Sequence, residues 1–98
     1  MNGYNYGKEI LPNAETYVYV VENHIVGFIG LDQNYIEGIF IDAHSQSKGI
    51  GTLLLNKVKE DRNTLTLSVY KKNVNAIKFY QKNNFIITSE SIDKIQMR

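Results

Sequence analysis

The sequence predicts an α/β fold: a mixed, mostly antiparallel sheet with one parallel strand pair and two flanking helices. Three observations carry that prediction. Residues 17–42 hold three short runs rich in β-branched and aromatic side chains, separated by polar turns. Residues 39–55 pass from an apolar strand through the loop Gln46-x-x-Gly49-x-Gly51 into an amphipathic segment. Residues 65–82 repeat the strand-then-helix order.

Residues 1–16 contain Gly3, Gly7, Pro12 and several Asn without periodicity, and read as a loop or arm. Tyr17-Val18-Tyr19-Val20-Val21 is a strand by composition, and Glu22-Asn23-His24 turns the chain into a returning strand, Ile25 to Leu31. A second turn, Asp32-Gln33-Asn34, leads to a third strand from Tyr35 to Asp42. Thr52 to Arg62 reads as a helix, with Leu54, Leu55 and Val58 on one face and mostly charged residues on the other. Leu65 to Tyr70 is the next strand. A strand–helix–strand crossover returns the chain parallel, so this strand belongs beside Tyr35–Asp42. Asn73 is placed to cap a second helix that ends near Lys82 before Asn83-Asn84. Phe85–Thr88 and Ile92–Met97 complete the sheet as an antiparallel pair. The whole chain, 1–98, reads as one domain.

Composition narrows the classes of function. The formal net charge is +1, so no strong field favours nucleic acid or an anionic membrane. There is no cysteine, which excludes disulfides, thiolate metal sites and a cysteine nucleophile. His24 and His44 lie in loops and make no metal site, and Ser45, Ser47 and Ser68 lack a recognisable His–acid arrangement. No apolar run approaches a membrane span, and the N-terminus lacks the features of a signal peptide, so a cytoplasmic location is the expectation.

The chemistry sits in the loop at 46–52. A glycine-bearing turn at a helix N-terminus directs several backbone N–H groups at one point, and such a point binds phosphate. It is neither a P-loop, which needs a Lys between Gly and Ser/Thr, nor a dinucleotide loop, because Leu54 occupies the position of the third Gly. Donors are expected from Gln46, Ser47, Lys48, Gly49, Ile50, Gly51 and Thr52. The Lys48 ammonium reads equally well as a solvated charge.

Together with Val69, Asn73, Ala76, Phe79, Tyr80 and Phe85 downstream, Gln46, Gly49 and Gly51 resemble the motifs of the GNAT superfamily of N-acetyltransferases. Asn84 stands where that family usually has Gly. The resemblance spans about residues 17–97 and implies a GNAT-like core without the usual N-terminal strand and helices, either a short form or a fragment. It implies acetyl-CoA (coenzyme A) as cofactor and transfer of acetyl to a primary amine, on a small molecule or a peptide, by direct attack. The parallel pair would part toward its C-terminal end, with Phe40 and Ile41 offering main-chain groups to the pantetheine arm. Asn73 would contact pantetheine as well as cap its helix. Tyr80 would protonate the departing thiolate, with Phe79 turned about 100° away into packing. Glu37 is the best-placed general base, and reads equally well as a solvent-facing charge. The alternative is a non-catalytic CoA-binding or protein-interaction module on the same fold. An uncovered sheet edge implies either a homodimer or residues 1–16 folded back over it.

Overall fold

A computed structural model describes residues 9–13 and 15–98, with side chains from residues 10 and 15–98. Seven strands form one sheet: β1 (Glu9–Asn13), β2 (Thr16–Val21), β3 (His24–Asp32), β4 (Tyr35–Ile41), β5 (Thr66–Tyr70), β6 (Ile87–Glu90) and β7 (Lys94–Met97). Their order across the sheet is β1-β2-β3-β4-β5-β7-β6. Helix α1 (Ile50–Asp61) links β4 to β5, and α2 (Val74–Lys82) follows β5. Only β4 and β5 run parallel.

The meander β2–β4 forms where its composition places it, with strand ends differing by one residue. Residues 9–13, read from sequence as part of a loop or arm, instead pair antiparallel with β2. Composition hid this strand because Pro12 and Asn13 lower strand propensity, whereas an edge strand tolerates Pro. Part of the N-terminal segment thus folds back onto the edge of β2, one of the two ways of covering that edge. The remainder of that expectation, residues 1–8 and 14, lies outside the described residues. At the other end, β6 begins at Ile87, and Ser91 to Asp93 make the turn into β7.

The core lies between α1 and the sheet. Ile50, Leu54, Leu55 and Val58 lie on the inner face of α1 and are buried. They join Ile29 and Leu31 of β3, Ile36 of β4 and Leu67 of β5 in one cluster. A 2.8 Å hydrogen bond from the Tyr17 hydroxyl to Asp61 Oδ2 ties the last turn of α1 to β2. Facing away from α1, Phe28 and Phe40 stack at 4.9 Å between ring centroids, and Phe40 is 57% exposed.

The feature that positions the site is a defect in β4. Gly30 registers with Gly38, but Leu31 registers with Ile36, so Glu37 is an extra residue in β4. A bulge of this kind bends its strand. Below it, Tyr35 and Ile36 register with Thr66 and Leu67 of β5. Above it no β4–β5 pairing continues, and the two strands part.

Candidate active site

Above the bulge the orientation of the β4 main chain follows from one bond. Asp42 N–H donates to the Val26 carbonyl at 2.7 Å. Backbone groups alternate sides along an antiparallel strand, so Phe40, registered with Phe28, also turns its N–H and C=O toward β3. Ile39 and Ile41 turn theirs toward the gap left by β5. The Gln46 side-chain amide donates to the Ile41 carbonyl at 3.2 Å, in agreement with that orientation. The expectation that Phe40 offers main-chain groups to a cofactor is therefore corrected to Ile39, and that for Ile41 keeps its geometry.

After β4 the chain makes a short 3-10 turn, Ala43–Ser45, capped by Asp42, whose carboxylate accepts from His44 N–H. Ser47 (φ 65°) and Gly49 (φ 80°) then take left-handed conformations, and α1 starts at Ile50. That start is two residues earlier than expected, since Gly49 can serve as a left-handed N-cap. Gly49 has no side chain to cap with, and the first intrahelical bond runs from Leu53 N–H to Gly49 O at 3.1 Å. The N–H groups of Ile50, Gly51 and Thr52 have no partner within α1, and they sit at the positive end of its dipole.

Between this turn, the upper end of β4 and α2 lies a cavity of about 520 Å³. Its walls include Ile39, Ile41, Gln46, Ser47, Gly49, Ile50, Gly51 and Thr52, together with Asn75, Ala76, Phe79, Tyr80 and Lys82 from α2. The structure thus brings most of the sequence-chosen loop to one space and adds Asn75, Phe79 and Lys82 of α2, which the sequence reading did not assign to it. Phe79 packs against the core, as expected, and also lines the cavity. A Cβ on Gly51 would lie 2.9 Å from the Phe79 ring, so the missing side chain at Gly51 makes room for Phe79 in the wall. Gly51 itself is helical, and its value is this space rather than an unusual φ.

Four chosen residues stand outside the cavity wall, the first being Phe40, which lines a separate hollow with Phe28. Lys48 is exposed, and the cation that lines the cavity is Lys82. Asn73 caps α2, its side-chain oxygen accepting from Ala76 N–H at 3.2 Å, and lines a separate hollow with Tyr70 and Ile92. Glu37 is exposed, and a Cβ on Gly30 would lie 4.0 Å from its Oε1. Gly30 is in β3, on the sheet face away from α1, so the Glu37 carboxylate lies on that face beside β3 and not in the cavity wall.

Tyr80 is 8% exposed and packs edge-on against Phe79 and Phe85, with centroids 5.3 and 5.5 Å away. Burial pushes its phenol up to about 12, because the phenolate would lose its hydration. Among the described residues nothing hydrogen-bonds its hydroxyl, and no fully buried side-chain polar atom there lacks a partner, so the oxygen opens onto the cavity. Asn84, at φ 75°, takes the left-handed conformation expected of Asn at this position. Among the described residues no His, Asp or Glu cluster could hold a metal ion.

Fold and cleft together define a class: α/β proteins with a mixed sheet whose single described parallel pair parts over a helix N-terminus and leaves a cavity there. Within that class the chain belongs to the GNAT acetyltransferase family, whose acetyltransferase (GNAT) domain profile matches residues 3–96. The peptidyl-lysine N-acetyltransferase YiaC of Escherichia coli is 29% identical over 92 residues, covering 85% of this chain and 63% of YiaC. A Bacillus anthracis protein crystallised with acetyl coenzyme A, described as a candidate streptothricin acetyltransferase, superposes with a TM-score of 0.74 at 29% identity, over 84% of this chain and 60% of that one. Arabidopsis thaliana Naa50, in complex with the bisubstrate analogue CoA-Ac-MVNAL, gives 0.70 at 28% identity, over 84% and 70%. The chain therefore spans under two thirds of the length of the first two of these relatives.

Proposed function

We propose that this chain binds acetyl-CoA in the 520 Å³ cavity and transfers the acetyl group to a primary amine. The observation that carries the reading is the convergence of three elements on one space. These are the unpartnered N–H groups of Ile50, Gly51 and Thr52, the open main-chain edge at Ile39 and Ile41, and the Tyr80 hydroxyl. The pyrophosphate fits the helix N-terminus, with Lys82 as the nearest cation in the wall. Pantetheine amides fit the edge of β4 as an added strand would. When bound, the cofactor supplies the activated acetyl thioester.

The chain's own groups then have distinct tasks. An N–H on the open edge at Ile39 or Ile41 donates to the thioester oxygen as it gains charge. The amine nitrogen bonds to the acetyl carbon, and the carbon–sulfur bond breaks with its electron pair left on sulfur. Tyr80 meets that sulfur as a hydrogen-bond donor. A phenol near 12 is a weaker acid than a thiol, near ~8.5, so complete transfer of its proton is uphill. Its contribution is to stabilise the developing thiolate, the lasting proton coming from the ammonium formed in the attack. The base we assign is Glu37, whose exposed carboxylate on the face away from α1 would accept a proton from the incoming amine, directly or through one water.

The acceptor we favour is a lysine side chain in a peptide, supported by what YiaC is named for. A net charge of +1 gives no strong field to favour nucleic acid, and the absence of cysteine is compatible with a reducing cytoplasm. No described helix is long and apolar enough to cross a membrane. The test is thiol release from acetyl-CoA with lysine peptides, free polyamines and peptide N-termini as acceptors. Saturable release with at least one amine is expected. CoA binding without turnover on any amine would leave a binding module, and failure to bind CoA would remove the reading altogether.

A further inference from the structure

The end of α1 remote from the cleft carries a second cavity, of about 490 Å³, whose charge pattern the acetyl-transfer reading does not use. Lys59, Arg62 and Arg98 all line it, with Asn84 among the neutral polar residues and Leu65 and Phe85 as an apolar floor; no Asp or Glu is among the lining residues, and the Arg98 main-chain oxygen is held by Ile86 N–H at 2.9 Å. In a chain of net charge +1 this is a local concentration of three cations. The neighbouring acids of α1 are engaged elsewhere. Asp61 accepts from Tyr17 at 2.8 Å, and Glu60 pairs with Lys57 at 3.3 Å.

Two of the cations are held in place. Lys59 Nζ donates to the Asn83 carbonyl at 2.8 Å and lies 5.4 Å from the Phe85 ring centre. Arg62 donates only its Nε, to the Gln33 carbonyl at 3.0 Å. Neutral carbonyls fix these side chains without cancelling their charge. The ammonium keeps further donors, and both terminal nitrogens of the Arg62 guanidinium remain available. Both residues are half-buried, so their rotamers are partly ordered before any ligand arrives. Arg98 makes no side-chain bond with the described residues.

We propose that this cavity is a second ligand site, taking a multiply charged oxyanion of the phosphate type. Three basic side chains with no Asp or Glu among the lining residues favour a multiply charged anion over a monoanion, and guanidinium forks match tetrahedral oxyanions. The site is separate from the cofactor cleft. The two occupy opposite ends of α1, a 12-residue helix of roughly 18 Å. The inference stands independently of the acetyl-transfer reading.

The test is residue-resolved NMR of the full chain titrated with inorganic phosphate, pyrophosphate and acetate at constant ionic strength, with a separate CoA titration to mark the residues of the cleft. The expected result is saturable shifts at Asn63, Asn84 and Phe85, strongest for pyrophosphate and weakest for acetate. Arg62→Gln should weaken pyrophosphate binding by about tenfold, and Arg98→Gln by about threefold with an unchanged melting temperature. The second variant guards against the first failing to fold. Shifts that rise linearly without saturation, or that are the same in Arg98→Gln, would overturn the proposal. So would shifts confined to residues 46–52. If CoA did not bind, pyrophosphate shifts at the two ends of α1 would still be resolved separately, and only the acetyl-transfer reading would fall.

Discussion

The two ends of the β4–β5 pair are built from the same two strands and do opposite things. At the lower end Tyr35 and Ile36 register with Thr66 and Leu67, and Ile36 and Leu67 are buried in the core. At the upper end the ladder is missing, Ile39 and Ile41 face a cavity, and Phe40 is exposed. The difference is a single inserted residue, Glu37. It teaches that a sheet can fix its fold with one half of a strand pair and leave the other half's hydrogen-bonding capacity for a ligand. The lower end then holds the two edges of the cleft in register, so that the upper end need not be held by its own bonds.

If that division is right, damage to the lower end is the largest effect. Leu67 is 1% exposed and lies where the ladder closes. Leu67→Ala should cost about 3 kcal/mol of stability by the lost transfer energy and the cavity left behind. Chemical denaturation measures it. A loss below about 1 kcal/mol would mean that the closed end does not anchor the pair.

The second prediction addresses the open end. Tyr80→Phe keeps the ring packed on Phe79 and Phe85 and removes one donor from the cavity. CoA affinity should change little, while kcat should fall by about 100-fold. Calorimetry and steady-state turnover separate the two. Parent-level kcat in the variant would reduce Tyr80 to a packing residue and leave thiolate stabilisation to water.

This contrast also explains what was legible in the sequence. Elements with a strong period, β2 to β4 and α1, read correctly because burial on one face writes itself into residue spacing. Most of the loop from Gln46 to Thr52 lines the cavity, and its place was legible because the strand–loop–helix order is local. What did not read was non-local. Glu37 as a bulge depends on the register against Gly30 and Leu31, which no window of β4 contains. Phe40 was assigned to the gap because a one-residue change of register reverses which main-chain groups face which neighbour. Phe79 was assigned to packing alone because helical spacing does not reveal that Gly51 leaves room for its ring. Lys82 was missed because its place in the wall is fixed by how α2 crosses α1. The signal available was its spacing from Asn75 and Phe79, seven and three residues along one helix.

The Tyr80 environment gives a third, pH-resolved prediction. Its folded value, about 12, lies above the ordinary 10, so the unfolded chain ionises first as pH rises. The contribution to stability is whole below pH 10 and is lost between about 10 and 12. Relative to Tyr80→Phe, the parent should lose about 2–3 kcal/mol across that window. The readout is the difference between the two proteins, which isolates Tyr80. Parallel curves would show that the phenol is already hydrated in the folded state.

The smallest effect sharpens the boundary of the open end. The Asn73 side chain accepts from Ala76 N–H and lines a hollow distinct from the cofactor cavity. A cap at the start of α2 is worth about 1 kcal/mol, so Asn73→Ala should lower stability by that amount. Asn73→Asp should restore most of it, because a carboxylate caps equally well. If the cap is the whole role, CoA affinity should follow stability only weakly in both variants, within about twofold, because Tyr80 and Phe79 stay fixed by Phe85 and Gly51. If Asn73 also touches pantetheine through its amide N–H₂, the two variants behave differently. Asp retains the cap and loses the donor, so it would recover stability but not affinity. A drop in CoA affinity of about tenfold in Asn73→Asp, with stability intact, would therefore move Asn73 into the binding site and extend the open end of the cleft to the first turn of α2.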